Sequence, residues 1–247
     1  MKKIIDYKEV SPLVLKYFKR GVITNNFLGV EDYKAEIKEG RLFLAEGEDS
    51  LNLYVRRDEF YKFYFYALSE SVVFPEFSEP LIADVVGNGA KVLENNGFFK
   101  ILERVKLEIN SNTDSMVAGK KSEKADAVEI YSLLKNSFNE FTGYIPNFSQ
   151  VEKECEEGYF YKYSENGKIA GALRWGKTGK TAQIKHLCVS DKFRGKGIGK
   201  SLTNDFLTEN PKAIVWTGKE NTAAIKLYKS LGFSESNIES TVYRKDV

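Results

Sequence analysis

The sequence is poor in the residues that build metal centres, disulfide frameworks and membrane spans. It has one histidine, His186, and two cysteines, Cys155 and Cys188, among 247 residues. Two cysteines are too few for a disulfide framework, so we expect a reducing compartment, the cytoplasm. No histidine–cysteine zinc cluster can form, and only an all-carboxylate metal site stays open. No apolar run approaches the roughly 20 residues of a transmembrane helix, so we expect no membrane partner.

An excess of charge of one sign is also lacking. Lysine and arginine number 37 against 35 acidic residues, which leaves a net charge of +2. Nucleic-acid binders concentrate basic residues on one face, so we expect no nucleic-acid partner. Hydrophobic residues at 42% and charged residues at 29% are typical of a folded globular protein. At roughly 150 residues per domain, the length allows one large or two small domains.

A short sequence motif, which we call the repeated phrase, occurs once in each half of the chain. Lys91–Phe98 and Lys226–Phe233 each read as an amphipathic helical turn that stops at a glycine followed by phenylalanine. An apolar stretch precedes each phrase and an alternating strand comes after it. The sequence therefore predicts two copies of one domain type, residues 1–112 and 113–247, joined at the polar stretch Asn110–Ser115.

Strands alternate with helices along both halves, which predicts an α/β fold of mixed sheets with helices on both faces. In the first half the patterns predict helices at 12–19 and 31–37 and strands at 41–47, 51–57, 60–68, 81–86 and 101–109. In the second half they predict helices at 124–138, 149–156 and 222–230 and strands at 159–163, 168–175, 181–189, 213–217 and 240–247. A further helix is predicted to start after a glycine-rich turn and to end near Phe206.

That glycine-rich turn is the most informative segment. The strand that ends at Val189 runs into alternate glycines, Gly195, Gly197 and Gly199, and then into a helix. Glycines let backbone N–H groups approach an anion, and the helix start adds its own free N–H groups. The pattern predicts a diphosphate site, with three cations beside it at Arg194, Lys196 and Lys200. Two alternatives stay open: a dinucleotide-binding turn, whose glycines have another spacing, and a merely structural strand-to-helix turn.

A second glycine pattern matches a phosphate-binding loop in sequence but not in its structural context. Gly171–Thr178 matches the phosphate-binding loop G-x-x-x-x-G-K-[ST] letter for letter. Such a loop must join a strand to a helix, whereas these residues read as a strand that enters a hairpin turn near Gly176. We therefore expect no nucleotide hydrolysis.

The ordered pair of motifs around the glycine loop resembles a known family. Arg194-x-x-Gly197-x-Gly199, with Asn221-x-x-Ala224-x-x-Leu227-Tyr228-x-x-x-Gly232-Phe233 downstream, is similar to the coenzyme A motifs of the GNAT N-acetyltransferases. The resemblance covers about the last 130 residues; the first half matches through the repeated phrase alone. It implies two GNAT-like domains in tandem, the first degenerate, and acetyl-CoA as co-substrate. No Arg-x-x-Gly-x-Gly motif occurs in residues 1–112, and the span from Ser69 to Pro80 is too short for a phosphate loop and a helix.

The resemblance also implies roles for individual residues. The residues expected to bind the cofactor are Leu187, Cys188, Val189, Arg194, Gly195, Lys196, Gly197, Ile198, Gly199, Lys200, Asn221, Ala224 and Tyr228. The main chain of Leu187 and Val189 would pair with the pantetheine arm, and the Leu187 N–H would stabilise the thioester oxygen. Tyr228 would protonate the leaving thiolate; the alternative is a tyrosine that only packs on the sheet. Asn221 is a cofactor contact, the N-cap of the helix 222–230, or both.

The general base is where the sequence departs from the family. Gln183 stands where many relatives have a glutamate, so the proton must go to Glu140, Glu156 or Glu157, or to water. Strict strand alternation predicts that His186 lies on the sheet face opposite Gln183, Lys185 and Leu187, as a buried structural histidine. Cys188 shares that face and reads as a small buried residue, so we expect direct transfer without an acyl-enzyme.

These features favour an acetyl-CoA-dependent N-acetyltransferase that acts on a small-molecule or peptide amine, as a monomer or homodimer. The acceptor would enter beside the aromatic loop 138–148, whose rings either contact the amine or anchor the loop. The alternative is a non-catalytic coenzyme A-binding module or sensor. A third class, an interaction scaffold, would not bind coenzyme A at all.

Overall fold

The computed structural model describes residues 1–20, 22–110, 121–178 and 181–246. Contacts divide the chain into two compact units, Met1–Glu103 with Glu239–Val247 (unit 1) and Arg104–Ile238 (unit 2). The predicted domain boundary between residues 112 and 113 lies in the segment 111–120, outside the described residues.

Unit 1 is an α/β unit. Its elements in chain order are β1 (Lys2–Lys3), α1 (Tyr7–Phe18), β2 (Ile23–Thr24), α2 (Val30–Lys38), β3 (Leu42–Glu46), β4 (Ser50–Arg56), β5 (Tyr61–Ala67), β6 (Leu81–Val85), α3 (Ala90–Asn95), the start of β7 (Phe99–Asn110) and the end of the last strand, β12 (Ser234–Lys245). The sheet order is β1-β3-β4-β5-β6-β12, with β2 added to β5. The β5–β6 pair is parallel, and the pairs β1–β3, β3–β4, β4–β5, β2–β5 and β6–β12 are antiparallel.

Helix α1 begins five residues before the predicted start at Pro12. Asp6 caps it, because its Oδ1 accepts from Lys8 N at 2.9 Å and the Glu9 carboxylate accepts from Asp6 N at 3.1 Å. This reciprocal capping arrangement fixes the helix start, so a proline inside the helix was the wrong boundary signal. The two-residue strands β1 and β2 were not predicted, since two residues carry no alternation pattern.

Unit 2 runs from the end of β7 to the start of β12. Its elements are the end of β7, a 3₁₀ turn (Lys124–Asp126), α4 (Ala127–Ser137), α5 (Glu140–Gly143), α6 (Phe148–Glu156), β8 (Phe160–Glu165), β9 (Lys168–Thr178), β10 (Thr181–Val189), a 3₁₀ turn (Asp191–Phe193), α7 (Ile198–Glu209), β11 (Lys212–Gly218), α8 (Thr222–Ser230) and the start of β12. The sheet order is β7-β11-β10-β9-β8, in which β10 and β11 are parallel and the other pairs antiparallel.

The sheet of unit 2 has a core on each face, as predicted. On one face Ile184, Val215 and Leu107 pack with α7 and α8 in a cluster that contains Phe206 and Tyr228. On the other face α4 and α6 pack on Ala172 and Cys188. The strand–helix alternation and the mixed sheet are therefore confirmed. The segment Gly171–Thr178, which matches the phosphate-loop pattern, lies within strand β9 and does not begin a helix.

The repeated phrase has the same local structure in both places. Gly97 and Gly232 have φ of 80° and 91°, the left-handed region that favours glycine. Phe98 N donates to Leu93 O at 3.0 Å, and Phe233 N donates to Tyr228 O at 3.1 Å. These are the long hydrogen bonds of a Schellman helix end, so the sequence signal at the two glycines corresponds to the same type of helix end in both places.

Candidate acyl-transfer site

The glycine loop lies at a place where two parallel strands separate. Strands β10 and β11 pair only from Ala182–Ala213 to Ile184–Val215. Beyond Ile184, β10 continues to Val189 and β11 to Gly218 without pairing to each other. We call this opening the β10–β11 gap.

A β-bulge at Lys185 reorients the second part of β10. The register with β9 shifts between Ile184, which faces Trp175, and His186, which faces Arg174. As a result, Ala182 and Ile184 before the bulge share the α7–α8 face with Leu187 and Val189 after it. Gln183, of opposite parity to Ile184, therefore lies on the same face as His186. The predicted opposition of His186 and Gln183 is wrong for this reason, while that of His186 and Leu187 is confirmed.

Polar backbone groups at the end of β10 point into the gap. Ser190 N donates to Ala170 O beside β9 at 2.9 Å. Because the N–H groups of successive strand residues point to opposite sides, those of Leu187 and Val189 point away from β9 and into the gap. Val189 O also points this way and accepts a hydrogen bond from Arg194 Nε at 3.4 Å.

The glycine loop presents its N–H groups outward. Gly195 and Gly197 both have φ of 78°, and a Cβ built on either glycine would have no neighbour within 4 Å. The first helical bond of α7 runs from Ser201 N to Gly197 O at 3.0 Å. Within the described part of the chain, the N–H groups from Gly195 to Lys200 have no hydrogen-bond acceptor. Such a run of free donors at a helix start is the geometry that binds phosphate groups.

Gly199 has a different role, in packing. Ile198 and Gly199 are buried in the first turn of α7. A Cβ on Gly199 would lie 3.1 Å from Leu227 Cδ1 and 3.7 Å from Leu187 Cδ2. The missing side chain therefore lets the start of α7 approach α8 and β10 closely.

Two of the three predicted cations of the loop, Arg194 and Lys196, pair with carboxylates. Arg194 Nη2 lies 2.7 Å from Asp191 Oδ1, and Lys196 Nζ lies 2.8 Å from Glu165 Oε1. The Lys196 ammonium also stands 5.1 Å from the centre of the Phe193 ring. These pairs are largely exposed, so each adds little stability, and a phosphate could replace the carboxylate.

Helix α8 carries the second motif. Asn221 is its N-cap, since Oδ1 accepts from Ala224 N at 3.1 Å. Tyr228 is 3% exposed and packs edge-on against Phe233, with ring centres 5.3 Å apart. Burial raises the pKa of the Tyr228 hydroxyl above its ordinary value, so the side chain stays protonated and can act as a hydrogen-bond donor.

His186 is a buried structural residue, as predicted. Its Nε2 lies 2.6 Å from Gly143 O and its Nδ1 3.5 Å from Arg174 Nη1. Burial and the charge of Arg174 lower the pKa of His186 to about 4. The Cys188 thiol donates to Ala172 O at 3.7 Å, and burial raises its pKa to about 12, which makes it a poor nucleophile.

An ion pair behind His186 was not predicted from the sequence. Arg174 Nε and Nη2 donate to the two oxygens of Glu154 at 2.6 and 2.7 Å. Burial alone would raise the pKa of Glu154, but its bonds to Arg174 lower it below the ordinary value. The partners lie on β9 and α6, and no sequence pattern links two charged residues on separate elements.

The three candidate bases differ in their surroundings. Glu156 pairs with Lys124 at 3.0 Å and Glu157 with Lys153 at 3.6 Å. Glu140 is exposed in the first turn of α5, a helix that was not predicted within the aromatic loop. Of these three carboxylates, only that of Glu140 lies within the loop 138–148, beside which the acceptor is expected to enter.

A surface cleft of about 310 Å³ lies between α6 and the ends of β9 and β10. Its lining residues are Gln150, Lys153, Glu154, Glu157, Tyr159, Trp175, Gly176, Lys177 and Lys185. The cleft thus reaches β10 at the bulge residue. Among the residues that the structure describes, there is no group of three potential metal ligands and no helix long and apolar enough to cross a membrane.

Unit 1 also contains a short parallel strand pair. Strands β5 and β6 pair only at Tyr61–Leu81 and Lys62–Ile82. The connection from β5 to β6 contains no helix, and its Phe74 packs against Phe63 and Phe65 with ring centres 4.9 and 5.1 Å apart. An aromatic segment without a helix thus connects the parallel strands of unit 1, whereas a glycine loop and helix α7 connect those of unit 2.

Comparison with known proteins agrees with this geometry. Two solved structures share the fold: a GCN5-related N-acetyltransferase from Sphaerobacter thermophilus (TM-score 0.57, 13% identity, 86% of this chain and 84% of that chain) and a GNAT-family acetyltransferase from Colwellia psychrerythraea (0.57, 16%, 100% and 99%). At these identities the likeness concerns the fold alone.

Curated relatives match parts of the sequence. The chain is 34% identical over 103 residues to an uncharacterised N-acetyltransferase of Methanocaldococcus jannaschii, covering 37% of this chain and 45% of the relative. It is 30% identical over 88 residues to the [ribosomal protein bS18]-alanine N-acetyltransferase of Escherichia coli K12, covering 34% and 60%. The chain therefore spans about half the length of the curated relatives it matches. The model of the acetyltransferase (GNAT) domain matches residues 120–247, just over half of the chain. This chain belongs to the GNAT acetyltransferase family.

Proposed function

We propose that this chain transfers an acetyl group from acetyl-CoA directly to a primary amine. The observation that carries the proposal is the run of free N–H groups from Gly195 to Lys200, next to the β10–β11 gap. Those groups would bind the diphosphate of coenzyme A, with Arg194 and Lys196 exchanging their carboxylate partners for phosphate.

The gap would hold the pantetheine arm. The N–H groups of Leu187 and Val189 point into it, so an extended amide chain can pair with β10 as a further strand does. The Leu187 N–H would then donate to the thioester oxygen. Loss of such a donor typically costs about 3 kcal/mol of transition-state stabilisation.

In the reaction, the amine nitrogen would attack the thioester carbon, and the carbon–sulfur bond would break. Tyr228, which burial keeps protonated, would donate to the departing thiolate. The proton of the attacking amine would pass to water or to Glu140. No acyl-enzyme is needed, and the buried Cys188 thiol offers no nucleophile for one.

Unit 1 would have no catalytic part. Its connection between the parallel strands β5 and β6 contains no helix and packs Phe74 against Phe63 and Phe65, in place of a glycine loop and a helix start. The repeated helix ends at Gly97 and Gly232 support two related, GNAT-like units in tandem, the first degenerate. We propose that the protein acts in the cytoplasm, as a monomer or homodimer, on a small-molecule or peptide amine.

A second candidate is a non-catalytic coenzyme A-binding module. It is favoured by Gln183, which cannot accept a proton where many relatives of the family have a glutamate. Release of free coenzyme A from acetyl-CoA distinguishes the two. The amine panel should contain a polyamine, free amino acids, an aminoglycoside and a peptide that begins with alanine, the residue named for the bacterial relatives.

We expect acetyl-CoA at 100 times its Kd to raise the free energy of unfolding by about 2.7 kcal/mol. We also expect thiol release with at least one amine, and a lower kcat in Tyr228→Phe at unchanged Kd. Binding without turnover on every amine would support the module. No binding at all would contradict both.

A further inference from the structure

The short helix α5 is tied to two strands, β7 and β10, which lie on either side of β11. Thr142 O accepts from Arg104 Nη2 on β7 at 2.6 Å. The next carbonyl, Gly143 O, lies 2.6 Å from His186 Nε2 on β10. Since β11 lies between β7 and β10 in the sheet, these two adjacent carbonyls are bonded by side chains from the strands on either side of β11.

The two side chains reach the same face of the sheet. Arg104 alternates with Val105 and Leu107, which pack in the α7–α8 core, so Arg104 points to the opposite face. The bulge at Lys185 turns His186 to that opposite face as well. Helix α5 therefore lies over the gap on the face away from α7 and α8.

We propose that His186 and Arg104 are positioning residues, which hold α5 over the gap as the wall that guides the acceptor amine to the acyl group. The inference rests on the proposed function, because the wall has a purpose only if an acyl group occupies the gap. Both residues lie outside the two coenzyme A motifs.

The hydrogen bonds of His186 fix its protonation. A carbonyl oxygen only accepts, so Nε2 carries the proton and donates a hydrogen bond to Gly143 O. The Nδ1 lone pair then faces Arg174 Nη1, and Arg174 is itself held by two bonds to Glu154. With both ring nitrogens engaged and 5% of its surface exposed, His186 is placed to hold the loop and not to accept the amine proton.

Helix α5 depends on such anchors. Four residues are too few for an independently stable helix. Its start is capped by Asn139, whose Oδ1 accepts from Phe141 N at 2.9 Å, and its end turns through Tyr144 with a φ of 50°. The Phe138 ring packs edge-on to His186, with ring centres 4.8 Å apart. Removal of the imidazole N–H would free the end of α5 and leave its start in place.

The test compares His186→Phe with His186→Gln. Phenylalanine keeps the ring but donates nothing, whereas the glutamine amide can still donate to Gly143 O. In His186→Phe we expect the acceptor KM to rise by about tenfold, the equivalent of one hydrogen bond. We also expect faster hydrolysis of acetyl-CoA to acetate and free thiol without an amine, since water would enter the gap. The Kd for acetyl-CoA should stay within about twofold, and His186→Gln should restore most of the KM.

Two further measurements keep the test decisive. Arg104→Met removes the other anchor from a different strand and should give the same rise in KM and hydrolysis, even if His186→Phe fails to fold. Hydrogen exchange of the amides from residue 143 to residue 145 should speed up in His186→Phe and stay slow in His186→Gln. If the wild type is active and the variants change neither the acceptor KM, the hydrolysis of acetyl-CoA nor the hydrogen exchange, the proposed role of α5 is wrong, while the proposed acetyl transfer stands. A wild type that binds acetyl-CoA but acetylates no amine would overturn the proposed function and the wall with it.

Discussion

Gly195 and Gly197 hold the free N–H groups of the loop in place through their backbone conformation. Both adopt φ of 78°, where an L side chain is strained by about 1 kcal/mol or more. Because a Cβ at Gly197 would meet no atom within 4 Å, Gly197→Ala isolates the conformational effect from any clash. We expect it to weaken acetyl-CoA binding by about tenfold, measured by isothermal titration, because the strained loop would turn its amides away from the diphosphate.

Gly97→Ala is the matched control. Gly97 also has a positive φ, 80°, and open space at its Cβ, but it ends α3 in unit 1. Gly97→Ala should lower the free energy of unfolding by about as much as Gly197→Ala does, and leave the Kd for acetyl-CoA unchanged. Equal losses of affinity in both variants would argue against a diphosphate site at Gly197.

His186 gives a prediction on pH. Burial and Arg174 lower its pKa to about 4, and Glu154 and Lys185 are the other charged groups that act on it. In the unfolded chain the pKa is about 6.5, so that state binds more protons below neutral pH, and folding is weakened as the pH falls from about 6.5 toward 4. We expect the free energy of unfolding to fall by about 2 kcal/mol between pH 7 and pH 5.

Urea unfolding at the two pH values measures this loss. His186 is the chain's only histidine, so His186→Gln should remove most of the pH dependence in this range. The pKa values of Glu36 and Glu154 are lowered, so these groups reduce the free energy of unfolding only when the pH falls below the ordinary pKa of glutamate. A variant that keeps the full slope would show that another group is responsible.

At the scale of elements, α8 brings its cap and its tyrosine into one short segment. Asn221 caps the helix and Tyr228 lies two turns later in the core. Asn221→Ala should lower the free energy of unfolding by about 1 kcal/mol, because Ala224 N loses its acceptor. Asn221→Ser, which can still cap, should recover most of that loss in thermal unfolding. Equal stability of the two variants would mean that the cap contributes little.

At the scale of the whole molecule, the two units differ in the connection that leaves a middle strand: an aromatic segment after β5 in unit 1, and a glycine loop after β10 in unit 2. Phe74 is 6% exposed and contacts two rings of β5. Phe74→Ala should cost about 3–5 kcal/mol of stability, through lost burial and a cavity. Every residue expected to bind the cofactor lies in unit 2, so the folded variant should keep the Kd for acetyl-CoA. Loss of binding in a folded Phe74→Ala protein would assign unit 1 a direct part in the site.

The sequence by itself determined the local features of this protein. Glycine at positive φ, the helix ends before Phe98 and Phe233 and the N-cap at Asn221 depend on neighbouring residues, so their patterns can be read in order along the chain. Hydrophobic periodicity placed most strands and helices close to their observed bounds. The two motifs around Gly197 and Tyr228 identified the family, because their spacing reflects one strand, one loop and two helices.

Only the tertiary structure decided how distant residues meet. The bulge at Lys185 moved His186 to the face of Gln183, because a single extra residue reverses strand alternation and no local pattern indicates it. The Arg174–Glu154 pair and the anchor from Arg104 to Thr142 join elements that are far apart in sequence. Such contacts depend on sheet order and strand separation, which are properties of the folded chain and not of any one segment.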